Sequence, residues 1–433
     1  MAAVAKEGQR EAHAGHEEDG PAERVTPRRW FRGLGPGIVS GGSDTDPTTV
    51  ATLSVVGAST RFDLCWLVVL VIPMLVVVQT ISARMGVVAK GGLEDVVQRR
   101  YGRVWAVVVL VALLAVTIIT LAADLEAGAA SLHLLIGPAY HWFIVPFAAV
   151  TAALLIWGSY HWVERVLKYV LLIFVAYVVT AFIAHPNWAQ VLLHTFVPHF
   201  GFSGAYTAGA LALLGTTLTS YAYVWESIAT AERRAPLRRL GLVQAEAGTG
   251  MVFAGLVFYF ILVTTGATLG KQHAHVQTAQ DAANALAPLV GHFSSVIFGI
   301  GLLASAVLAV PVLAGTSAYV VAETFGWRRS LDARFARAPS FYVCLIGSLV
   351  VAIGIGLAGV SPMGLLFIAS IAGGLGTPVT LVMMMLIGRD RKVMHDKRLP
   401  KPLQVAGWAV AAIVSLACVA FIVQTIAGGG GLS

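Results

Sequence analysis

The sequence predicts an all-α polytopic membrane protein with about eleven transmembrane helices, arranged as a five-plus-five inverted repeat in which helices 1 and 6 are broken. Three observations predict it. Apolar residues make up 57% of the 433 residues and charged residues only 12%, whereas soluble domains carry roughly 25% charged residues. The mean hydropathy is +0.79. Two apolar segments, one at the start of each half, are interrupted by polar residues, which is typical of inverted-repeat transporters.

Eleven apolar segments are long enough to cross a bilayer core, which requires about 20 residues per helix. They cover residues 34–58, 62–83, 104–131, 142–158, 166–184, 204–230, 241–268, 293–322, 340–359, 363–388 and 404–427. Residues 1–32 are polar and charged, which predicts a disordered cytosolic tail. A single transmembrane domain follows over 33–430, divided into a first repeat (33–203), a second repeat (204–390) and an extra helix (391–430).

The net charge of +7 does not indicate a nucleic-acid partner, because the basic residues alternate along the chain. They fall almost entirely in every second connection, at 84–103, 165–168, 233–239, 328–337 and 389–401. This alternation is the positive-inside pattern. It predicts an integral protein of the plasma (inner) membrane with a cytoplasmic N-terminus and an external C-terminus. The lipid bilayer is then the predicted environment, and no obligate protein partner is evident.

The first interruption contains Asp44, Asp46 and Pro47. Ionisable groups at membrane depth are costly and usually functional, and proline opens a helix and frees carbonyl oxygens. Carboxylates, hydroxyls and carbonyls are ligands of hard cations. We therefore predict Asp46 as a metal ligand, with Thr49 beside it, although Asp46 also suits a helix cap. Asp44 is a second candidate, with a salt bridge as the alternative.

The second interruption is a run of hydroxyl side chains at 215–221, where such groups compete with helical hydrogen bonds. Thr216 and Thr219 are candidate metal ligands, directly or through water, and ordinary intrahelical hydroxyl bonding is the alternative. Tyr221 is assigned to the ion path, with simple packing as the competing interpretation.

Three further carboxylates in apolar segments are candidates for the ion pathway or a proton relay. Asp124 and Glu126 stand in the third span. Glu226 follows Thr219 by seven residues and therefore lies on the same helix face.

Enzymatic function is not expected, because the sequence contains no nucleotide-binding loop, nucleophile elbow or His-Glu-x-x-His motif. The three cysteines are scattered through apolar segments, which argues against a disulfide or a cysteine metal site. No cofactor is expected; a divalent metal ion is expected as the substrate.

Four stretches carry a resemblance to a known family. They are GPGIVSGGSDTDP at 35–47, SARMGVV at 82–88, LAPLVG at 286–291 with GIGLLAS at 299–305, and GWR at 326–328. At these residues the chain resembles the Nramp family of divalent-metal transporters, over roughly residues 33–390. The resemblance implies the LeuT-type inverted-repeat fold, in agreement with the two interruptions.

The departures from the family concern the two breaks. The family's Asp-Pro-Gly-Asn is here Asp46, Pro47, Thr48 and Thr49. The Met-Pro-His of the sixth helix is replaced by the run Thr219, Ser220 and Tyr221 at 219–221. The soft thioether donor is therefore gone. Oxygen ligands suit Mg²⁺ and Mn²⁺, whereas sulfur favours softer metals, and a methionine-less branch of the family carries magnesium.

Other family positions differ as well. A polar glutamine of the tenth helix corresponds to Ser370, which is therefore assigned to the ion pathway or a proton relay, and the third-helix aspartate corresponds to Asp124. The family's glutamate three residues later is Ala127, with Glu126 beside it, and the helix-nine arginine has no counterpart. These departures predict that proton coupling is weak or absent.

The leading prediction is a secondary transporter that moves divalent cations, with Mg²⁺ or Mn²⁺ favoured and other transition metals open, by alternating access. The alternative is a LeuT-fold, ion-coupled carrier of amino acids or organic cations, for which Tyr221 would serve as an aromatic lid. A channel or receptor is a more distant possibility. Comparing the uptake of labelled metal with the uptake of labelled amino acid distinguishes the cation transporter from the amino-acid carrier.

Overall fold

The computed structural model describes residues 45–157, 176–201, 203–272, 276–331 and 335–427. The predicted cytosolic tail, Asp44 and the first part of predicted spans 1 and 5 lie outside these residues. The described residues form helices joined by short connections. This architecture confirms the predicted all-α membrane fold.

Thirteen main helices follow one another in the described ranges. They are α1 Pro47–Thr60, α2 Cys65–Ala89, α3 Leu93–Tyr101, α4 Arg103–Ile136, α5 His141–Trp157, α6 Trp188–Phe196, α7 Gly204–Thr217, α8 Ser220–Glu232, α9 Leu240–Thr268, α10 Ser294–Phe325, α11 Pro339–Gly356, α12 Pro362–Arg389 and α13 Lys401–Ala427. The described ranges also contain a helical segment at 176–183, short 3-10 helices between the main helices, and three short α-helices, Ala279–Ala283, Ala287–Val290 and Arg391–Met394.

Seven of the described helices are long and apolar enough to cross a bilayer: α2, α4, α9, α10, α11, α12 and α13. They coincide with seven of the predicted spans, and the apolar helix α5, of 17 residues, coincides with the fourth. The total of about eleven stays a prediction, since parts of spans 1 and 5 are not described.

Large apolar side chains project from the outer surface of the bundle. On α13, Leu416 is 68% exposed and Val423 is 59% exposed. Extensive exposed apolar surface marks an interaction site, and on long apolar helices the bilayer is the matching environment.

The sixth span is broken, as the sequence predicts. Helix α7 ends at Thr217 and α8 begins at Ser220. Thr219 between them has extended backbone angles, φ −64° and ψ 134°. The Thr377 hydroxyl of α12 donates to the Leu218 carbonyl over 3.1 Å, so a carbonyl freed by the break is satisfied by a side chain from another helix.

The basic connection at 84–103 was expected to be a loop, but it contains helix α3. In α3, Leu93, Val96 and Val97 are buried, and this i, i+3, i+4 spacing gives an amphipathic helix one apolar face. Glu94 is also fully buried on α3. Its Oε1 accepts a hydrogen bond from the Thr324 hydroxyl over 3.2 Å, which fastens α3 to the end of α10.

Candidate cation site

Asp46 begins helix α1 and is almost fully buried. Its backbone is extended, and its Oδ1 accepts the backbone N–H of Thr49 over 2.7 Å, while Pro47 occupies the first helical position. Proline is favoured there because that N–H needs no partner. The capping role considered from the sequence is therefore present. A carboxylate offers about four lone-pair sites, so one cap leaves Asp46 able to bind a cation.

The second oxygen of Asp46 joins helix α1 to helix α8. Tyr221 of α8 donates its hydroxyl to Asp46 Oδ2 over 2.6 Å. Near it, the hydroxyl oxygens of Thr49 and Thr216 lie 3.0 Å apart. The start of α1 and the break between α7 and α8 thus face each other, and four of the predicted site residues are brought together.

Asp124 of α4 also belongs to this cluster. It is fully buried, and its Oδ1 accepts the Thr48 hydroxyl over 2.7 Å. Among the described residues its Oδ2 has no hydrogen-bond partner. Asp124 therefore contacts α1 two residues from Asp46, and its predicted role in the ion path or a proton relay stays a prediction.

The two acidic side chains of the site have no basic partner among the described residues. No ion pair in the described part of the chain involves Asp46 or Asp124. Burying an unpaired charge is strongly unfavourable. Two ionised carboxylates carry two negative charges, so a divalent cation would balance the pair.

Two serines tie the site to neighbouring helices. The Ser305 hydroxyl of α10 donates to the Thr45 carbonyl over 2.5 Å. The Ser370 hydroxyl of α12 lies 2.5 Å from that of Thr52. Thr48 and Thr52 are one helical turn apart, so their hydroxyls lie on one face of α1. That i, i+4 spacing was visible in the sequence, and it is the signal that would have identified both residues.

Close backbone contact brings α7 against α12 beside Ser370. A Cβ added to Gly215 would lie 1.9 Å from the Ser370 carbonyl oxygen and 2.2 Å from the Gly374 nitrogen. Only glycine allows this approach. The Gly215 position therefore sets the spacing between the broken helix and the helix that carries Ser370.

Thr219 and Ser220 stand at the start of α8, where the resemblance places methionine and proline. Thr219 is buried and its hydroxyl makes no capping hydrogen bond to α8. The Ser220 Oγ is buried and has no hydrogen-bond partner among the described residues. Both hydroxyls add hard oxygen atoms to a break that contains no sulfur at 215–221.

Glu126 and Glu226 lie away from this cluster. Glu126 packs against the end of α11, where a Cβ on Gly356 would lie 3.2 Å from Glu126 Cγ. Glu226 accepts the Thr230 hydroxyl over 3.1 Å and is close enough to Arg233 to interact with its charge. Their predicted pathway roles remain predictions. Asp44, the other predicted ligand, lies outside the described residues.

Similarity to known proteins covers nearly the whole chain. A MntH protein of Deinococcus radiodurans, named a divalent metal cation transporter, is 28% identical over 442 aligned residues, covering 97% of this chain and 95% of that protein. MntH of Caldanaerobacter subterraneus subsp. tengcongensis is 24% identical and covers 85% of this chain and 87% of its own length.

Solved structures show the same fold. The Eremococcus coleocola manganese transporter has a TM-score of 0.74 at 16% identity, covering 96% of this chain and 92% of that one. MhsT bound to L-phenylalanine has a TM-score of 0.63 at 15% identity, covering 94% and 100%. These likenesses confirm the predicted LeuT-type fold.

The family match agrees with the motifs and with the position of the two breaks. The Nramp family, described as "Natural resistance-associated macrophage protein-like", matches residues 37–424. This range includes both breaks and all the described residues of the cation site. The chain belongs to the Nramp family.

Proposed function

We propose that this membrane protein is a secondary transporter that moves divalent cations, with Mg²⁺ or Mn²⁺ favoured, by alternating access between the two sides of the membrane. Transport of a metal cation, and not enzymatic catalysis, follows from membership of the Nramp family. The observation that carries the proposal is the pair of buried carboxylates, Asp46 and Asp124, which accept hydrogen bonds from the adjacent residues Thr49 and Thr48 at the start of α1.

The choice of cation rests on the atoms that surround the break. Carboxylate, hydroxyl and carbonyl oxygens are ligands for Mg²⁺ and Mn²⁺, whereas thioether sulfur selects softer metals. Asp46, Thr49, Thr216 and Thr219 offer only oxygen. The similar MntH protein of Deinococcus radiodurans is a divalent metal cation transporter and the similar Eremococcus coleocola protein is a manganese transporter, which supports a divalent substrate.

The remaining residues would act around the ion. Asp124, Tyr221 and Ser370 shape the site through their hydrogen bonds with Thr48, Asp46 and Thr52, respectively. Mg²⁺ gives up its water ligands reluctantly, so hydroxyl groups at hydrogen-bonding distance of bound water suit a partly hydrated ion.

The membrane potential supplies part of the driving force. With the N-terminus on the cytoplasmic side, as the basic connections predict, inward movement of a cation gains about 2.3 kcal/mol per charge for each 100 mV. We place the protein in the plasma (inner) membrane on the same basis.

The amino-acid alternative fits the site less well. A substrate carboxylate in this fold requires free backbone amides at the helix break. Here the Thr49 amide already donates to Asp46 Oδ1. The two buried carboxylates would also repel an anionic group.

Uptake into proteoliposomes tests the function. The purified chain is reconstituted, a potential negative inside is imposed, and entry of Mn²⁺, Mg²⁺ and a panel of labelled amino acids is measured. Cation entry that requires the protein and rises with the potential supports the proposal. Amino-acid uptake without cation uptake would reject it.

A further inference from the structure

A second group of side chains of metal-binding type lies near the start of α2, at the opposite end of α1 from Asp46. Asp63 is in the connection between α1 and α2. His194 is on α6, and His199 is in the connection between α6 and α7. We propose that Asp63, His194 and His199 form a binding site for a transition-metal ion such as Zn²⁺, separate from the transport site.

The spacing between Asp63 and His194 is that of two ligands of one metal ion. His194 Nδ1 lies 3.2 Å from Asp63 Oδ1. Two atoms bound to a tetrahedral Zn²⁺ at about 2.0–2.2 Å are roughly 3.3 Å apart. Yet Nδ1 is buried and has no hydrogen-bond partner among the described residues. The two atoms can form an ion pair if the imidazole is protonated, and a metal ion bound to both would take the place of that proton.

His199 stands at the right distance to supply a third ligand. The ring centroids of His194 and His199 are 5.7 Å apart, and the ring planes are inclined by 57°. Two imidazoles on one Zn²⁺ have centroids about 5 to 6 Å apart. No three such side chains surround one point in the described residues. Binding in the proposed site therefore requires the exposed His199 ring to rotate toward the ion.

The backbone around His199 is held while its ring is exposed. The Tyr206 hydroxyl donates to the His199 carbonyl. The next residue, Phe200, packs against Trp66 with ring centroids 5.2 Å apart. Only side-chain rotation is then needed for binding, which lowers its entropic cost.

The ligand types select the metal. Two imidazoles and one carboxylate suit Zn²⁺, Cu²⁺ and Ni²⁺, whereas Mg²⁺ prefers oxygen alone. The site would therefore distinguish transition metals from Mg²⁺ by its nitrogen donors.

A bound ion would also connect moving parts. Asp63 follows α1, which carries Asp46, and the two histidines precede α7, which carries Thr216. An ion that bridges these connections ties together the outer ends of the two broken helices. It should slow any transition that separates them.

Zn²⁺ binding measured in an Asp46→Asn background tests the inference without interference from the transport site. The full chain is titrated calorimetrically with ZnCl₂, and His194→Gln and His199→Gln are compared with His141→Gln, a control at another exposed histidine. Losing even a group that only orients a ligand costs about 10- to 100-fold in affinity. We expect at least a tenfold loss in the first two variants and none in the control.

Thermal unfolding gives an independent readout, since a ligand stabilises the folded state that binds it. Zn²⁺ should raise the Tm of His141→Gln and not that of His194→Gln. Equal Zn²⁺ affinity in all variants, or an equal loss in His141→Gln, would overturn the inference. Because the background already lacks Asp46, neither result depends on which cation is transported.

Discussion

Tyr221 and Asp46, 175 positions apart in sequence, are joined by a 2.6 Å hydrogen bond from the tyrosine hydroxyl to Asp46 Oδ2. This bond connects the start of α1 with the start of α8, the helix that follows the break in the sixth span. A cation that uses Asp46 Oδ2 must share it with this hydroxyl or displace it. The bond therefore links cation binding to the relative position of the two helices.

Tyr221→Phe should bind Mg²⁺ and Mn²⁺ more tightly than the wild type, by up to about tenfold. A hydrogen bond to a charged group contributes about 1.5–3 kcal/mol. Because the cation must weaken or displace the bond from Tyr221 to Asp46, its removal should favour cation binding. Isothermal titration of the purified variant measures the change. Weaker binding would mean that the hydroxyl holds the ion or its water.

Thr219→Met should raise affinity for Cd²⁺ and Mn²⁺ relative to Mg²⁺, because it adds a sulfur donor to the break. We expect the ratio of Cd²⁺ affinity to Mg²⁺ affinity to rise on the order of tenfold or more, which is the effect that single groups at metal sites have. Thr219→Leu is the matched control, because leucine is similar in size to methionine but has no sulfur. If both variants change selectivity equally, the residue acts through packing.

Gly215→Ala should destabilise the protein by about 1–3 kcal/mol, the usual cost of overpacking. The new Cβ would clash with backbone atoms of Ser370 and Gly374 in α12. Backbone atoms in a packed helix cannot move aside as the end of a flexible side chain can. Gly347→Ala is the control, since a Cβ there meets nothing within 4 Å. Thermal unfolding in detergent compares them. Equal stability of the two variants would show that α7 and α12 separate at little cost.

Much of this architecture could be predicted from the sequence. Long apolar segments and alternating basic connections predicted the seven membrane-spanning helices that the structure contains. The cluster of hydroxyl side chains predicted the break after Thr217. Pro47 beside Asp46 marked the start of α1 for the same local reason. These features depend on residues close together in the chain.

Contacts between distant residues were not predictable in this way. The Thr48 to Asp124 hydrogen bond joins positions 76 apart, and nothing local indicates it. Helix α3 was missed because its charged residues hid a short apolar stripe within a basic connection. The Asp63 and His194 pair likewise becomes visible only when the two connections are brought together in space.

Glu94→Gln should stabilise the protein at neutral and alkaline pH. Burial raises the pKa of Glu94 to about 8; the Thr324 hydrogen bond opposes this, and the Glu323 charge adds to it. The folded state then holds a proton that the unfolded state releases above its ordinary pKa of about 4.3. Stability from this group therefore falls as pH rises from about 4.3 to 8.

Unfolding midpoints measured between pH 5 and 8.5 test this assignment. The advantage of Glu94→Gln should grow with pH up to about 8 and then level off, since Glu94 is ionised in both states above that value. The exposed Asp396→Asn serves as the control, with no such trend expected. A constant difference across the range would mean that Glu94 is not protonated in the folded protein.

The most direct test of the central claim is cation binding and uptake by Asp46→Asn. The amide keeps the shape of the side chain and removes its charge, so binding of Mg²⁺ and Mn²⁺ should weaken by about 3–5 kcal/mol, more than about a hundredfold, while the exposed Asp396→Asn behaves as the wild type. Loss of binding and of proteoliposome uptake in a folded protein is the predicted result. Uptake at the wild-type rate in Asp46→Asn would contradict the assignment of the cation site.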